Sequence, residues 1–259
     1  MNISEIYVCS QGEGPLVGVP SILVRTSGCN LRCRWKNQTT GKVTLCDSWF
    51  TSWKPEQKET TPQAVYEEII KLATTYPDGK KRDNNLTNVI ISGGEPTEQK
   101  KDVQDLTSAL IFTGLQVTLE INGTNYIEVP TKLQKDGQDL TGRIICSISP
   151  KLSSSTPVGT RFEKQHEKKR INLVVLEALL KRYPAYLKFV VSSEKDIEEI
   201  QEIQKALKCA PSYIYLMAEG IKVEDILERG RMVNELCIKH GYRYSPREHI
   251  LLYGNKRGT

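Results

Sequence analysis

The sequence predicts an α/β fold in which about six strand–helix units form a parallel sheet, either curled into a partial or full barrel or laid out as a doubly wound sheet. Three observations predict it. Short apolar, partly β-branched runs alternate with longer stretches of helical periodicity. They spread evenly over 259 residues with no Gly/Ser- or Pro-rich linker, which favours a single domain spanning 1–259. Loops rich in glycine, cysteine, asparagine or serine follow the strands directly, where parallel sheets gather their functional groups.

In chain order, Ser21 to Thr26 reads as the first strand. Thr61-Pro62 is a cap followed by proline at the first helical position, and Val65, Ile69, Leu72, Ile70 and Ala73 form the apolar stripe of the helix it opens. Asn88 to Ser92 is a strand, Val103 to Phe112 a helix, and Gln116 to Ile121 and Arg143 to Ile148 two more strands. Ile171 to Tyr183 is expected as a helix, Leu187 to Val191 as a strand, Ile197 to Leu207 as a helix and Tyr213 to Met217 as a strand. Val223 to His240 closes the helical set, and Ile250 to Tyr253 is expected as a final short strand. Polar stretches at 36–44, 78–85 and 153–170 are expected as insertions or long loops, and no internal repeat is present.

Composition excludes several function classes. Hydrophobic residues make up 38% and charged residues 26%, no apolar run reaches a membrane span, and Met1 to Glu5 lacks the start of a signal peptide. A cytoplasmic protein with no membrane partner is expected. The net charge of +5 is mild, and the basic run Lys164 to Arg170 has no interleaved aromatics, so it reads as a solvated segment rather than a nucleic-acid site. Seven cysteines in a reducing compartment point to metal or catalysis rather than disulfides.

Cys29 and Cys33 stand four apart in one loop, and Cys46 follows after a polar stretch. Three thiolates leave one iron of a four-iron cluster without a protein ligand, and an open position is what a metal needs to activate a small molecule. Cys9, Cys146, Cys209 and Cys237 read as small buried hydrophobes. A structural zinc site would need a fourth ligand, and the three histidines, at 166, 240 and 249, form no paired motif. Ser92-Gly93-Gly94-Glu95-Pro96 ends an apolar strand; its glycines admit close backbone approach, and Glu95 offers a carboxylate to an ammonium group.

Together these residues resemble the radical S-adenosylmethionine (SAM) superfamily, and more closely the 7-carboxy-7-deazaguanine synthase family of 7-deazapurine (queuosine-type) biosynthesis. The segments carrying the likeness run in order nearly end to end: Gln11 to Gly14, Gly28 to Trp35, Cys46 to Ser48, Ile91 to Pro96, Leu119 to Thr124, Ile148 to Lys151, Tyr215 to Gly220 and the tail from His249 to Gly258. The resemblance implies a partial (βα)6-type barrel of the radical SAM kind with polar loop insertions. It implies a lyase that converts 6-carboxy-5,6,7,8-tetrahydropterin to 7-carboxy-7-deazaguanine with loss of ammonia, using a [4Fe–4S] cluster, SAM and Mg²⁺. Cys29, Cys33 and Cys46 would hold the cluster, and Ser48 the magnesium. Gln11, Gly12, Glu13, Arg25, Ser92 and His249 would meet substrate. Asp47, Gly94, Glu120, Asn122, Ser149, Pro150, Lys151, Met217 and Glu219 would surround SAM. An electron donor such as flavodoxin, the small-molecule pterin and a possible homodimer complete the implied partners. One departure stands out: twelve residues separate Cys33 from Cys46 where the family has two, so 36–45 reads as an insertion in the cluster loop. Two rivals remain, another radical SAM enzyme such as a glycyl-radical activase, and a non-catalytic zinc-binding interaction protein.

Overall fold

The computed structural model describes residues 1–36, 41–132 and 137–259. Eleven strands and eight helices are seen among them. The strands are β1 (Asn2–Ser10), β2 (Pro20–Thr26), β3 (Arg34–Lys36), β4 (Val43–Leu45), β5 (Lys58–Glu59), β6 (Asn88–Gly93), β7 (Gln116–Ile121), β8 (Ile144–Ile148), β9 (Ala185–Val191), β10 (Ile214–Ala218) and β11 (Arg243–Ser245). The helices are α1 (Trp49–Ser52), α2 (Pro62–Thr74), α3 (Lys100–Phe112), α4 (Glu163–Lys169), α5 (Leu173–Arg182), α6 (Asp196–Leu207), α7 (Val223–His240) and α8 (Glu248–Tyr253). Thr61 caps α2 by accepting from the Ala64 N–H, and Gly241, at φ 72°, ends α7.

The main sheet runs β11-β10-β9-β8-β7-β6-β2-β1-β5, with β2 and β6 through β11 parallel and β1 antiparallel to β2 and β5. Side-chain alternation separates its two faces. Ile22, Val24, Val89, Ile91, Val117, Leu119, Ile148, Leu187, Phe189 and Leu216 point outward into one core with the apolar stripes of α2, α3, α5, α6 and α7. The other face carries Arg25, Ser92, Glu120, Ser147, Lys188 and Met217, all lining one cavity. A doubly wound sheet would bury apolar residues on both faces. The polar inner face, shared by strands from β1 to β10, therefore identifies an open barrel curled around a site, and β5 and β11 are its unpaired edges among the described residues.

Three expectations need correction. Ile250 to Tyr253 is not a strand but lies in α8; a four-residue apolar run carries no period, and with Leu252 and Tyr253 exposed only Ile250 anchors the turn. The last strand is instead β11, paired with β10 just after the Gly241 turn. The loop expected at 153–170 contains α4, which lacks an apolar stripe and is held by buried His166 and by polar pairs such as Glu167–Arg170. The insertion at 36–45 is not merely a polar excursion: β3 and β4 pair as Arg34–Leu45, Trp35–Thr44 and Lys36–Val43, while 37–40 fall outside the described residues. Sequence reading also passed over β1, whose alternation is broken by an irregularity between Ile3 and Glu5.

Candidate active site

The C-terminal ends of the parallel strands open on a cavity of about 220 Å³. All the residues expected to hold cluster, magnesium, substrate or SAM line it except Pro150, which is buried in the loop between Ser149 and Lys151.

The hairpin explains how Cys46 reaches the cluster loop. At its foot the Cys46 N–H donates to the Cys33 carbonyl at 3.3 Å, which sets the two cysteines side by side. Leu31, Cys33 and Trp35 form a small buried core against which Cys29 and Cys46 pack. Trp53 donates its indole N–H to the Cys33 carbonyl at 3.2 Å. The loop is clamped from below by the Gly-Gly turn: Gly94 N–H donates to Thr26, Glu95 N–H donates to Gly28, and a Cβ on Gly94 would sit 2.0 Å from the Gly28 carbonyl oxygen.

His166 braces the loop from α4. Its Nδ1 accepts from the Arg32 N–H at 3.3 Å while Nε2 meets the Ser155 hydroxyl, and burial lowers its pKa to about 4, leaving the ring neutral. Burial pushes the Cys29 thiol up to about 12 and raises Cys33 and Cys46 as well, while the Lys151 charge pulls all three down. Three thiols on one cavity beneath a cation fit an anionic iron–sulfur cluster. Among the described residues no three His, Cys, Asp or Glu side chains are gathered closely enough for a single metal ion, whereas cluster thiolates bind separate irons.

The carboxylate of Glu95 is otherwise engaged than the sequence indicated. It is 1% exposed, and its two oxygens accept from Thr97 N–H, Thr97 hydroxyl and Asn122 N–H, so it organises backbone. Asn122 in turn donates to Asn30 at 2.9 Å and accepts from Thr124, tying the β7 loop to the cluster loop. Ser92 donates to Glu120 at 2.6 Å, and Lys151 donates to Ser149 at 2.8 Å. Met217 is buried on the inner face, and Glu219 pairs with Arg229 at 2.7 Å.

At the opposite wall lies a buried ion network. Glu13 pairs with Lys188 and, at 3.3 Å, with Arg247; Arg247 also pairs with Asp47; Lys188 stands 3.9 Å from Glu120. Burial alone would raise both acids, but Lys188 and Arg247 outweigh it at Glu13, and Arg247 and Arg25 at Asp47, holding both carboxyls well below the usual range. His249 packs so tightly on Gly12 that a Cβ there would meet its Nδ1 at 2.2 Å, and burial lowers its pKa. Gln11 donates to Glu120 at 3.4 Å. Arg25 donates to Glu5 at 3.1 Å, Ser48 at 3.1 Å and Tyr7 at 3.0 Å.

Ser48 by itself does not fit a divalent cation: its hydroxyl already accepts from the Arg25 guanidinium, and the adjacent Asp47 is paired with Arg247. Cys9, read as a buried hydrophobe, is half-buried and faces the cavity, where burial raises its thiol to about 11.

The comparisons agree with this geometry. Curated proteins named 7-carboxy-7-deazaguanine synthase from Halobacterium salinarum and Rhodopirellula baltica are each 34% identical over 99% of this chain, covering 92% and 88% of their own lengths. The chain belongs to the 7-carboxy-7-deazaguanine synthase family. It is thereby a radical SAM protein, and the family implies SAM and a [4Fe–4S] cluster. The crystal structure of QueE from Escherichia coli shares the fold, with TM-score 0.62 and 22% identity over 96% of this chain and 94% of that one. SuiB from Streptococcus suis aligns at TM-score 0.50 and 12% identity over 87% of this chain and 47% of that one. Scanned against protein-family models, the chain matches none.

Sequence reading missed Lys188, Arg247, Tyr7 and Glu5. Lys188 interrupts an apolar strand, Leu187 to Val191, and a lone lysine in such a run is the signal that was available. Arg247 carried none, because only the tertiary fold brings it to Glu13 and Asp47.

Proposed function

We propose that this chain converts 6-carboxy-5,6,7,8-tetrahydropterin to 7-carboxy-7-deazaguanine with loss of ammonia, as a radical SAM lyase of 7-deazapurine biosynthesis. The observation that carries the reading is the Cys46–Cys33 backbone bond at the foot of the hairpin: it sets the third cysteine beside the second despite the long gap.

The cluster would be held by Cys29, Cys33 and Cys46, and with SAM it supplies the reductive cleavage that yields a hydrogen-abstracting radical. The chain's own residues bind and orient. Glu13, kept ionised by Lys188 and Arg247, accepts from the pterin N–H edge, and Gln11 adds a nearby amide. Arg25 offers its remaining guanidinium N–H groups to the substrate carboxylate. Ser92 and His249 flank the same space, while Gly94, Glu120, Asn122, Ser149, Lys151, Met217, Asp47 and Glu219 would surround SAM, with buried Pro150 shaping the loop between Ser149 and Lys151. Magnesium at Ser48 belongs to the proposal in one form: the cation arrives with oxygens of the bound substrate, a hard-ligand set that the free site does not supply.

A flavodoxin-type electron donor, a cytoplasmic setting and a homodimer are part of the same proposal. No described helix is long and apolar enough to cross a membrane, and all seven cysteines are free. Anaerobic incubation of the reconstituted protein with SAM, reductant and the carboxypterin, followed by mass spectrometry, tests the reading. Absence of both 5′-deoxyadenosine and the deazapurine product from a fully loaded protein would refute it.

A further inference from the structure

The β3–β4 hairpin reaches beyond the cluster loop that it interrupts. Its strands pair only with each other among the described residues, as a sheet separate from the main one. A ribbon of three residue pairs is marginal by itself, and side-chain ties hold this one to the β10 side of the cavity. The Thr44 hydroxyl donates to the Glu219 carboxylate, and Lys42 pairs with Asp225 at 3.6 Å. Glu219 directly follows β10, and Asp225 lies in the first turn of α7. The hairpin therefore bridges from the cysteine loop to the end of β10 along one side of the cavity.

Thr44 and Leu45 line that cavity together with Met217, Glu219, Gly220 and Ile221 from the β10 side. Val43, in the same strand, is exposed and lies outside the lining. Glu219 is anchored from α7: Arg229 pairs with its carboxylate at 2.7 Å and also donates to its carbonyl. A carboxylate offers about four acceptor sites. Arg229 and Thr44 occupy part of that capacity, which leaves room for the hydroxyl or amino donors of a nucleoside. Leu45, Met217 and Ile221 add apolar surface beside it, the usual setting in which a few fixed polar groups orient a small ligand.

We propose that Thr44 and Leu45 complete the SAM pocket of this chain, Leu45 as a wall of its nucleoside half and Thr44 as a positioning residue that acts through Glu219. The inference rests on the reading that Met217 and Glu219 surround SAM. The segment that lengthens the cysteine spacing thereby has a binding role. With two residues between Cys33 and Cys46 there would be no β4, and nothing from the cysteine loop would reach Glu219 in this way.

Equilibrium dialysis of SAM against the anaerobically reconstituted protein is the test. Thr44→Val should raise the SAM Kd roughly three- to tenfold, within what one hydrogen bond contributes. Thr44→Ser keeps the hydroxyl and should restore the parent value. Removing 36–45 should raise the Kd by about tenfold or more, because Leu45 is lost along with Thr44. Iron content and the carboxypterin KM should match the parent throughout. Val43→Ala trims the same ribbon outside the cavity and should leave SAM affinity unchanged. Parent-like SAM affinity in Thr44→Val or in the deletion would overturn the inference. So would a loss shared with Val43→Ala, which marks a merely structural role, or a raised carboxypterin KM at unchanged SAM affinity, which puts the hairpin on the substrate instead. A loaded parent that binds SAM but makes no deazapurine refutes the proposed reaction, and the SAM affinities then decide the hairpin's role alone. One that binds no SAM refutes both.

Discussion

Deleting Lys36 to Leu45 should leave a folded protein that still assembles its cluster. The deletion joins Trp35 to Cys46 and leaves two residues between the second and third cysteines in place of twelve. The geometry is already in place, because the Cys46 N–H to Cys33 C=O bond would become the i to i+3 bond of a β-turn. Shortening the closed segment from twelve intervening residues to two recovers about 1.5 kcal/mol of loop-closure entropy. Against this stands the β3–β4 ladder of three residue pairs, a two-stranded element of marginal stability. Val43 and Leu45 are 40% and 36% exposed, so only their partial burial is given up, and Trp35 is retained in its core. The Lys42–Asp225 pair, at 3.6 Å and largely exposed, adds little. The two sides nearly cancel, and the unfolding free energy should stay within about 1 kcal/mol of the parent. Urea denaturation, iron content and dithionite-driven SAM cleavage are the measurements. A variant that denatures like the parent but takes up no iron would show that the hairpin itself, and not the convergence of Cys33 with Cys46, builds the cluster site.

Other outcomes follow from the same geometry. Cys46→Ala should lose iron and SAM cleavage, as should Cys29→Ala and Cys33→Ala, whereas Cys9→Ala should keep both; a four-iron Mössbauer spectrum from Cys46→Ala would reverse the assignment. Arg25→Ala should lower apparent substrate affinity by one to two orders of magnitude, the loss of a charge-assisted bond of ~1.5–3 kcal/mol, with SAM binding intact. Glu5 still pairs with Arg257 at 2.6 Å, so an unfolded variant is not expected. Ser48→Ala should flatten the dependence of turnover on magnesium; a titration identical to the parent's would remove Ser48 from the site. Lys188→Met should cost about 3 kcal/mol at neutral pH, since it strips a buried partner from Glu13 while Arg247 remains. The sign with pH is fixed by the depressed Glu13 pKa: the pair's contribution is full above the unfolded Glu value near ~4.3 and is lost as pH falls through the folded one. The difference between parent and variant should therefore shrink below about pH 4 in denaturation experiments, and a constant difference would mean that Lys188 acts by packing alone.

Local signals were enough for the units that build the barrel. The cap at Thr61, the bounds of α7 and the apolar runs of β6 to β10 were read closely, since each is set by residues near in sequence. The motif loops at Cys29, Gly93 to Pro96, Asn122 and Ser149 to Lys151 were legible for a related reason: strand ends in a parallel sheet share one edge, so whatever follows them meets. Elements without a period of their own were not legible. The Ile250 to Tyr253 run is too short for helix and strand to differ, α4 is held by polar partners, and β1 is broken by its irregularity.

The sequence by itself determined the α/β class, the order of the strand–helix units and the list of chemically active residues, because periodicity, turn chemistry and residue type are local properties. Only the tertiary structure decided that one face of the sheet is polar and curls around a cavity, which distinguishes a barrel from a doubly wound sheet. It alone paired Arg34 with Leu45 and so brought Cys46 to Cys33, and it alone set Lys188 and Arg247 against Glu13 from 175 and 234 residues away. Contacts of that range depend on how the sheet twists and which strands become neighbours, and no local pattern of residues encodes the distance between two side chains that meet only after the chain has folded.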